Sequence, residues 1–306
     1  MVIDWQNSLP KPVAFVLSGG AALGSIQVGM LRALLEVGLT PDLIVGTSVG
    51  ALNGAVIADR GMAEGTKALY EIWETLDRND IFPGSRLLQL RQYLSTGNSL
   101  FSNNNLTKLI CRMLQVSQFD ALQIPFAALA TEMLSKHGAL FTEGDIHKAL
   151  LASTAIPGFF PPVELDQTLY VDGGLTANVP LAAAVRLGAK SLVVLDAGEI
   201  CHLPEPPDNI LEYYDLSLQA LFRQRVRIEA PLLAETYPTL YLPTPCPIKS
   251  DMLDFTNSSA LIEQSYLLAK GFLASEMPPQ PGMMTGAPHY HGDEPVFRLT
   301  DIKRAV

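Results

Sequence analysis

Cysteine is scarce in this chain. Cys111, Cys201 and Cys246 are the three among 306 residues, far apart and never in C-x-x-C spacing. That excludes a disulfide scaffold and a structural zinc site, and it fits a reducing compartment. Positive charge is also in short supply: 21 Lys and Arg stand against 31 Asp and Glu, a formal charge of -10. A nucleic-acid binder needs a cationic footprint, so that class is set aside, and electrostatic docking on anionic membranes with it. Hydrophobic, transient contact with a membrane surface stays open. No apolar run approaches 18 residues, so no segment is expected to span a bilayer. The N-terminus, Met1-Val-Ile-Asp-Trp-Gln, has no basic region ahead of an apolar stretch and does not read as a signal peptide. Internal repeats are absent too. The expectation is a cytoplasmic globular protein, and 48% hydrophobic against 17% charged residues agrees with it.

What is present is an alternation of strands and helices. Val13-Ala-Phe-Val-Leu17 is a continuous apolar run, as in a strand buried on both faces of a parallel sheet. Ser18-Gly-Gly-Ala-Ala-Leu-Gly24 follows, and then Ile26, Met30 and Leu34 recur at helical spacing. Leu43 to Val45 is the next strand, and further strands are expected at 126–133, 168–171, 191–195 and 240–242. Parallel strands need helical crossovers, so the fold class is α/β, three layers with helices on both faces of a mainly parallel central sheet. Residues 1–276 form the domain in this reading. Residues 277–306, rich in Pro and Gly up to Pro288, form a surface tail, with 297–305 able to return as a terminal strand.

The chain is organised around Gly46-Thr-Ser48-Val-Gly50, which lies between a strand and a helix and fits the nucleophile-elbow pattern G-x-S-x-G. The turn presents the Ser48 hydroxyl, and Gly46 and Gly50 remove the Cβ atoms where strand and helix pass closely. A serine needs a partner to take its proton. None of the five histidines (137, 147, 202, 289 and 291) is placed by the sequence for that role. Asp172 is the better candidate: it ends an apolar strand and precedes two glycines, where α/β folds build their sites. The loop 18–24 can turn successive amides inward as a nest for an anion. That allows a phosphate loop, though the P-loop lysine is missing, or an oxyanion hole beside Ser48.

Taken together, the motifs resemble the patatin-like phospholipase family. They are Val16-Leu-Ser-Gly-Gly-Ala-Ala-Leu-Gly24 with Gln27-Val-Gly29, the elbow Gly46 to Gly50, Ala152-Ser-Thr-Ala-Ile-Pro-Gly-Phe-Phe-Pro-Pro162, and Val171-Asp-Gly-Gly174. They occur in the family's order over roughly the first 200 residues. The resemblance implies a patatin-like fold and a Ser-Asp dyad without histidine, here Ser48 and Asp172. It implies an oxyanion hole from the amides near Gly19, Gly20 and Ala21, with no metal and no cofactor. It also implies hydrolysis of lipid acyl esters, of phospholipase A, lysophospholipase or carboxylesterase type. An acyltransferase and a non-catalytic lipid- or partner-binding member are the alternatives.

Two positions depart from the family pattern. Ala21 stands where a third glycine is usual, and Leu23 where an Arg or Lys is usual. Leu23 is expected to make the mouth of the site apolar and to favour neutral esters over anionic lipids. Arg86 to Leu94, with apolar neighbours between Ile81 and Phe101, is an amphipathic segment between breakers. It is expected to be a mobile cover over an acyl groove.

Overall fold

Alternation along the central strands divides the core into two. Val13, Phe15 and Leu17 of the first strand pack into one hydrophobic cluster, and Ala14 and Val16 into a second on the opposite face. Successive side chains of a strand point to opposite faces, so a run buried throughout must be covered on both sides. The computed structural model describes residues 3–83, 86–198, 207, 210–246, 248 and 253–288.

Along the chain, α1 (Trp5–Ser8) precedes β1 (Val13–Leu17). A 3₁₀ turn (Ala21–Gly24) then opens α2 (Ser25–Glu36). Next come β2 (Leu43–Thr47), α3 (Val49–Arg60), α4 (Met62–Thr75), α5 (Arg78–Ile81), α6 (Arg86–Thr96) and α7 (Asn104–Met113). β3 (Phe126–Glu132) and β4 (Gly138–Phe141) lead to α8 (Ile146–Ser153), β5 (Val163–Leu165) and β6 (Thr168–Asp172). α9 (Gly174–Ala177), α10 (Leu181–Arg186) and β7 (Ser191–Leu195) follow. The rest is α11 (Ile210–Ala234), β8 (Thr239–Tyr241), α12 (Ser258–Ser275) and β9 (Met284–Thr285).

The sheet order is β5-β6-β3-β2-β1-β7-β8-β9, with β4 paired to β3. From β3 through β2, β1, β7 and β8 to β9 the pairs are parallel, and β4, β5 and β6 add antiparallel pairs at the other end. This is the mainly parallel three-layer α/β arrangement expected from the strand and helix pattern. α2 and α12 pack together on one face. A Cβ on Gly29 would lie 2.6 Å from the Tyr266 amide, so the motif glycine at 29 permits that approach. α10 and α11 cover the other face, through Leu181, Ala184, Val226 and Ala230.

Two details go beyond the sequence reading. β9 lies inside the stretch read as a surface tail, so residues 284–285 extend the sheet beside β8. β5, which pairs antiparallel with β6, was not anticipated. The returning strand expected at 297–305 falls outside the described residues.

Candidate active site

β1 and β2 run side by side, with Leu17 in register with Gly46, so the glycine loop and the elbow leave the sheet at the same edge. Ser48 sits at the tip of the elbow with φ 53 and ψ -125, a conformation that costs a non-glycine residue on the order of 1–3 kcal/mol. The surroundings hold it there. The Ser48 amide donates to Ser153 Oγ at 3.0 Å, and that hydroxyl donates to the Leu129 carbonyl at 2.6 Å. A Cβ on Gly46 would lie 2.6 Å from the Ala51 backbone, and one on Gly50 2.6 Å from the Leu17 carbonyl carbon. Both glycines are therefore required by the closeness of the loop, strand and helix.

Asp172 ends β6, opposite Ala130 of β3. Its amide donates to the Ala155 carbonyl at 2.9 Å, its carbonyl accepts from Thr131 Oγ1 at 2.9 Å, and its Oδ1 accepts from the Gly174 amide at 2.7 Å. The side chain is buried, and burial raises its pKa from 3.8 to about 6, opposed by the Ser48 hydroxyl and the Gly174 amide. Its other oxygen, Oδ2, lies out of water without a hydrogen bond of sound geometry. Ser48 thus stands close enough to influence the carboxyl without being locked to it. Contacts of this kind commonly tighten only when substrate binds. Among the described residues no histidine acts on Asp172, and His147 and His137 line neither cavity beside the loop. His202, His289 and His291 lie outside the described residues.

The glycine loop differs in detail from the expectation. The Gly19 amide donates to the Asn178 carbonyl at 3.0 Å, so it is already engaged. The amides of Gly20 and Ala21 make no such bond among the described residues, and Ala21 takes φ 47, the left-handed region. This is the cost of having alanine there: a Cβ in that region is strained by roughly 1 kcal/mol. Leu23 is only 1% exposed and packs in the core beneath the loop. It also borders the cavity that Gly19 and Gly20 line. The part of Leu23 in choosing neutral over anionic lipids is read from a Leu23→Arg variant, in which the turnover ratio of the two lipids decides.

Beneath the loop lies a buried amide network that the sequence did not announce. Gln27 Nε2 donates to the Ser18 and Leu195 carbonyls at 2.9 and 3.0 Å. Asn53 Nδ2 donates to the Gly24 carbonyl at 3.0 Å and to Gln27 Oε1 at 2.9 Å, and Trp73 Nε1 donates to Asn53 Oδ1 at 3.0 Å. The network grips residues 18 and 24, the two ends of the loop. Gln27 stood in one of the quoted motifs and Asn53 within a largely apolar helix, but neither position told of its partners.

Ser48 and Ala21 open onto an apolar cavity walled by Leu52, Trp73, Phe82, Leu109 and Phe160. Phe82 and Phe160 stack with ring centroids 5.4 Å apart. From the expected cover, Ile81 and Phe82 line this cavity, whereas no described residue of α6 does. Gln89 and Gln92 of α6 border a separate groove against Leu100 and Phe101. On the opposite side of the loop, α11 overlies the dyad. Tyr214 Oη donates to the Pro157 carbonyl at 3.2 Å, Phe222 packs beside Gly174, and Phe222 and Arg223 line a second cavity with Gly19 and Gly20. The Tyr214 pKa is raised by burial and then by the charge of Asp172. The described residues hold no cluster of His, Cys, Asp and Glu suited to a metal, and no helix among them is long and apolar enough to cross a membrane.

Comparison with known proteins agrees with the motifs. The mouse patatin-like phospholipase domain-containing protein 7 is 31% identical over 188 residues, 61% of this chain and 14% of that protein. The fruit-fly (Drosophila melanogaster) neuropathy target esterase sws is 29% identical over 189 residues, 61% of this chain and 13% of that protein. The lysophospholipase NTE1 of Mycosarcoma maydis is 27% identical over 192 residues, 61% of this chain and 10% of that protein. The chain therefore spans a small fraction of these relatives' length. Among solved structures, VipD of Legionella pneumophila aligns over 87% of this chain and 67% of its own, with 15% identity and a TM-score of 0.46. Human GIVD cytosolic phospholipase A2 aligns over 88% and 59%, with 15% identity and a TM-score of 0.42. The model of the patatin-like phospholipase domain matches residues 15–185, more than half of the chain, and that span holds the glycine loop, the elbow and the strand ending at Asp172. The chain belongs to the patatin-like phospholipase family.

Proposed function

We propose that this chain is a lipid acyl hydrolase that cleaves carboxylic esters through a covalent acyl-serine on Ser48. The observation that carries the reading is the position of Ser48: on a strained elbow, at the mouth of an apolar cavity, beside a buried carboxyl with a raised pKa. In the first step Ser48 Oγ attacks the ester carbonyl and its proton passes to Asp172 Oδ2. The oxygen that gains charge is held by the Gly20 and Ala21 amides, and such donors are worth a few kcal/mol of barrier. The alcohol leaves with the proton from Asp172. Water then attacks the acyl-serine, giving its proton to the same carboxylate, and releases the fatty acid. The carboxyl suits both halves, because a base near pKa 6 is ionised at neutral pH yet able to hand its proton on.

The acyl chain belongs in the cavity of Leu52, Leu109 and Phe160, since that wall is apolar apart from Asn53 and Thr154, whose polar atoms are engaged within the protein. A lysophospholipase or phospholipase A activity is the natural form, in line with the activity that the name of the Mycosarcoma relative states. A cytoplasmic setting is part of this proposal and fits the exposed free thiol of Cys111. The test is labelling by a fluorophosphonate together with fatty-acid release from lysophosphatidylcholine. Labelled Ser48 with release is expected. A folded protein that shows neither would be a non-catalytic member of the family.

A further inference from the structure

The apolar cavity beside Ser48 is small, with a volume of about 50 Å³. A water-sized group takes about 10–15 Å³ of such space, so about four methylene groups fit. A groove of about 540 Å³ lies next to it. Trp73, Leu76 and Phe255 line both spaces, so these three side chains are the partition between them. Leu52, Leu109 and Phe160, on the other walls of the cavity, border no part of the groove.

The three partition residues are held differently. Trp73 belongs to α4, and its Nε1 donates to Asn53 Oδ1 at 3.0 Å, inside the clamp beneath the glycine loop. Leu76 caps α4, its amide donating to the Ile72 carbonyl at 2.9 Å. Phe255 stands on the turn ahead of α12. That turn is fixed by polar contacts of its own: Asp254 Oδ1 accepts from the Thr256 amide at 2.9 Å, and Ser258 Oγ donates to the Phe255 carbonyl at 2.8 Å. The Phe255 ring is buried and stacks on Trp73, with centroids 6.0 Å apart and planes 20° apart. It is therefore the one part of the partition that can be trimmed without disturbing the loop clamp or a helix end.

We propose that Phe255 sets the length of acyl chain that the site accepts. This rests on the hydrolase reading, in which the chain of the acyl-serine lies in this cavity. A chain beyond about four carbons has to displace the Phe255 ring or remain outside, so its further methylenes go without the burial that the first ones gain. Removing the ring joins the cavity to the groove, and a longer chain then runs along Leu76 and Leu253.

The experiment measures kcat/KM for p-nitrophenyl butyrate and p-nitrophenyl decanoate in wild type and Phe255→Ala. The decanoate-to-butyrate ratio should rise at least tenfold in the variant. Phe255→Leu, with a circular dichroism spectrum matching wild type, should move the ratio the same way and covers the case in which Phe255→Ala does not fold. A general loosening of the fold lowers turnover of both esters together and leaves the ratio where it was. An unmoved ratio in the folded variants would overturn the proposal. A second arm needs no catalysis: displacement of a dansyl-labelled undecanoic acid by hexanoate and by dodecanoate. The variant should favour dodecanoate over hexanoate at least tenfold more than wild type does. A wild type that cleaves neither ester and takes no fluorophosphonate loses the hydrolase reading, and displacement alone then decides on Phe255. An unchanged preference between the two acids, or a wild type and variant that bind no labelled acid, would end the chain-length role as well.

Discussion

Asn53 and Gln27 meet beneath the glycine loop, the Asn53 amide donating to Gln27 Oε1 at 2.9 Å with both side chains fully buried. Between them they hold the carbonyls of Ser18, Gly24 and Leu195, so the loop is clamped where it leaves β1 and where it enters α2. Asn53→Leu keeps the approximate size but orphans Gln27 Oε1, the Gly24 carbonyl and the Trp73 N–H. The cost should be roughly 2–5 kcal/mol, read as a drop in the denaturant midpoint. In protein that still folds, kcat should fall more than KM rises, because a loosened loop misplaces the oxyanion donors. A fall confined to KM would show that the loop does not depend on the clamp.

Ser48→Ala should remove ester hydrolysis by three orders of magnitude or more and leave the fold intact, and Asp172→Asn should be nearly as damaging. Replacing His137 or His147 by Ala should cost less than threefold. A large kcat loss in either folded histidine variant would restore a triad and end the dyad reading.

The dyad sets a pH dependence with one limb. Asp172 must be ionised to accept a proton, and its pKa is about 6, so kcat/KM should climb with pH through about 6 and then level off. A profile flat from pH 5 to 8 with a soluble ester would contradict the assignment of the base.

The same carboxyl should weaken the fold. Its folded pKa of about 6 lies above the ordinary 3.8, so the folded state binds the proton more tightly than the unfolded chain. Its contribution is complete below pH 4 and is lost as pH rises through 6. The shift of about two units corresponds to on the order of 3 kcal/mol. Asp172→Asn, which retains an acceptor for the Gly174 amide, should therefore be more stable than wild type at pH 7 and lose that advantage by pH 4. Chemical denaturation at the two pH values measures it, and an equal gap at both would show that ionisation is not the cause.

Ser153 is the acceptor that holds the elbow. Ser153→Ala strands the buried Ser48 amide and should cost about 1–3 kcal/mol of stability with roughly a tenfold loss of kcat. Turnover and thermal midpoint matching those of wild type would show that the elbow is set by its glycines alone.

The order of elements, the elbow and the candidate dyad were legible in the linear chain because each rests on local rules. Buried strands read as apolar runs, a tight strand-to-helix turn requires Gly46 and Gly50, and Asp172 announces itself by ending a strand before two glycines. Resemblance to a known family, not local chemistry, joined Ser48 to Asp172 and both to the loop. What tertiary structure decided is whatever depends on long-range packing. Gln27 and Asn53 could not be paired from sequence, since an amide in a helix says nothing about which carbonyls lie across the sheet. The engagement of the Gly19 amide depends on Asn178, 159 residues away. Leu23 turned inward because the 3₁₀ turn aims it at the core, a direction that a departure from a motif does not specify. That α11 lies beside Asp172 and the glycine loop was likewise decided by long-range packing, which the amphipathicity of a helix does not specify.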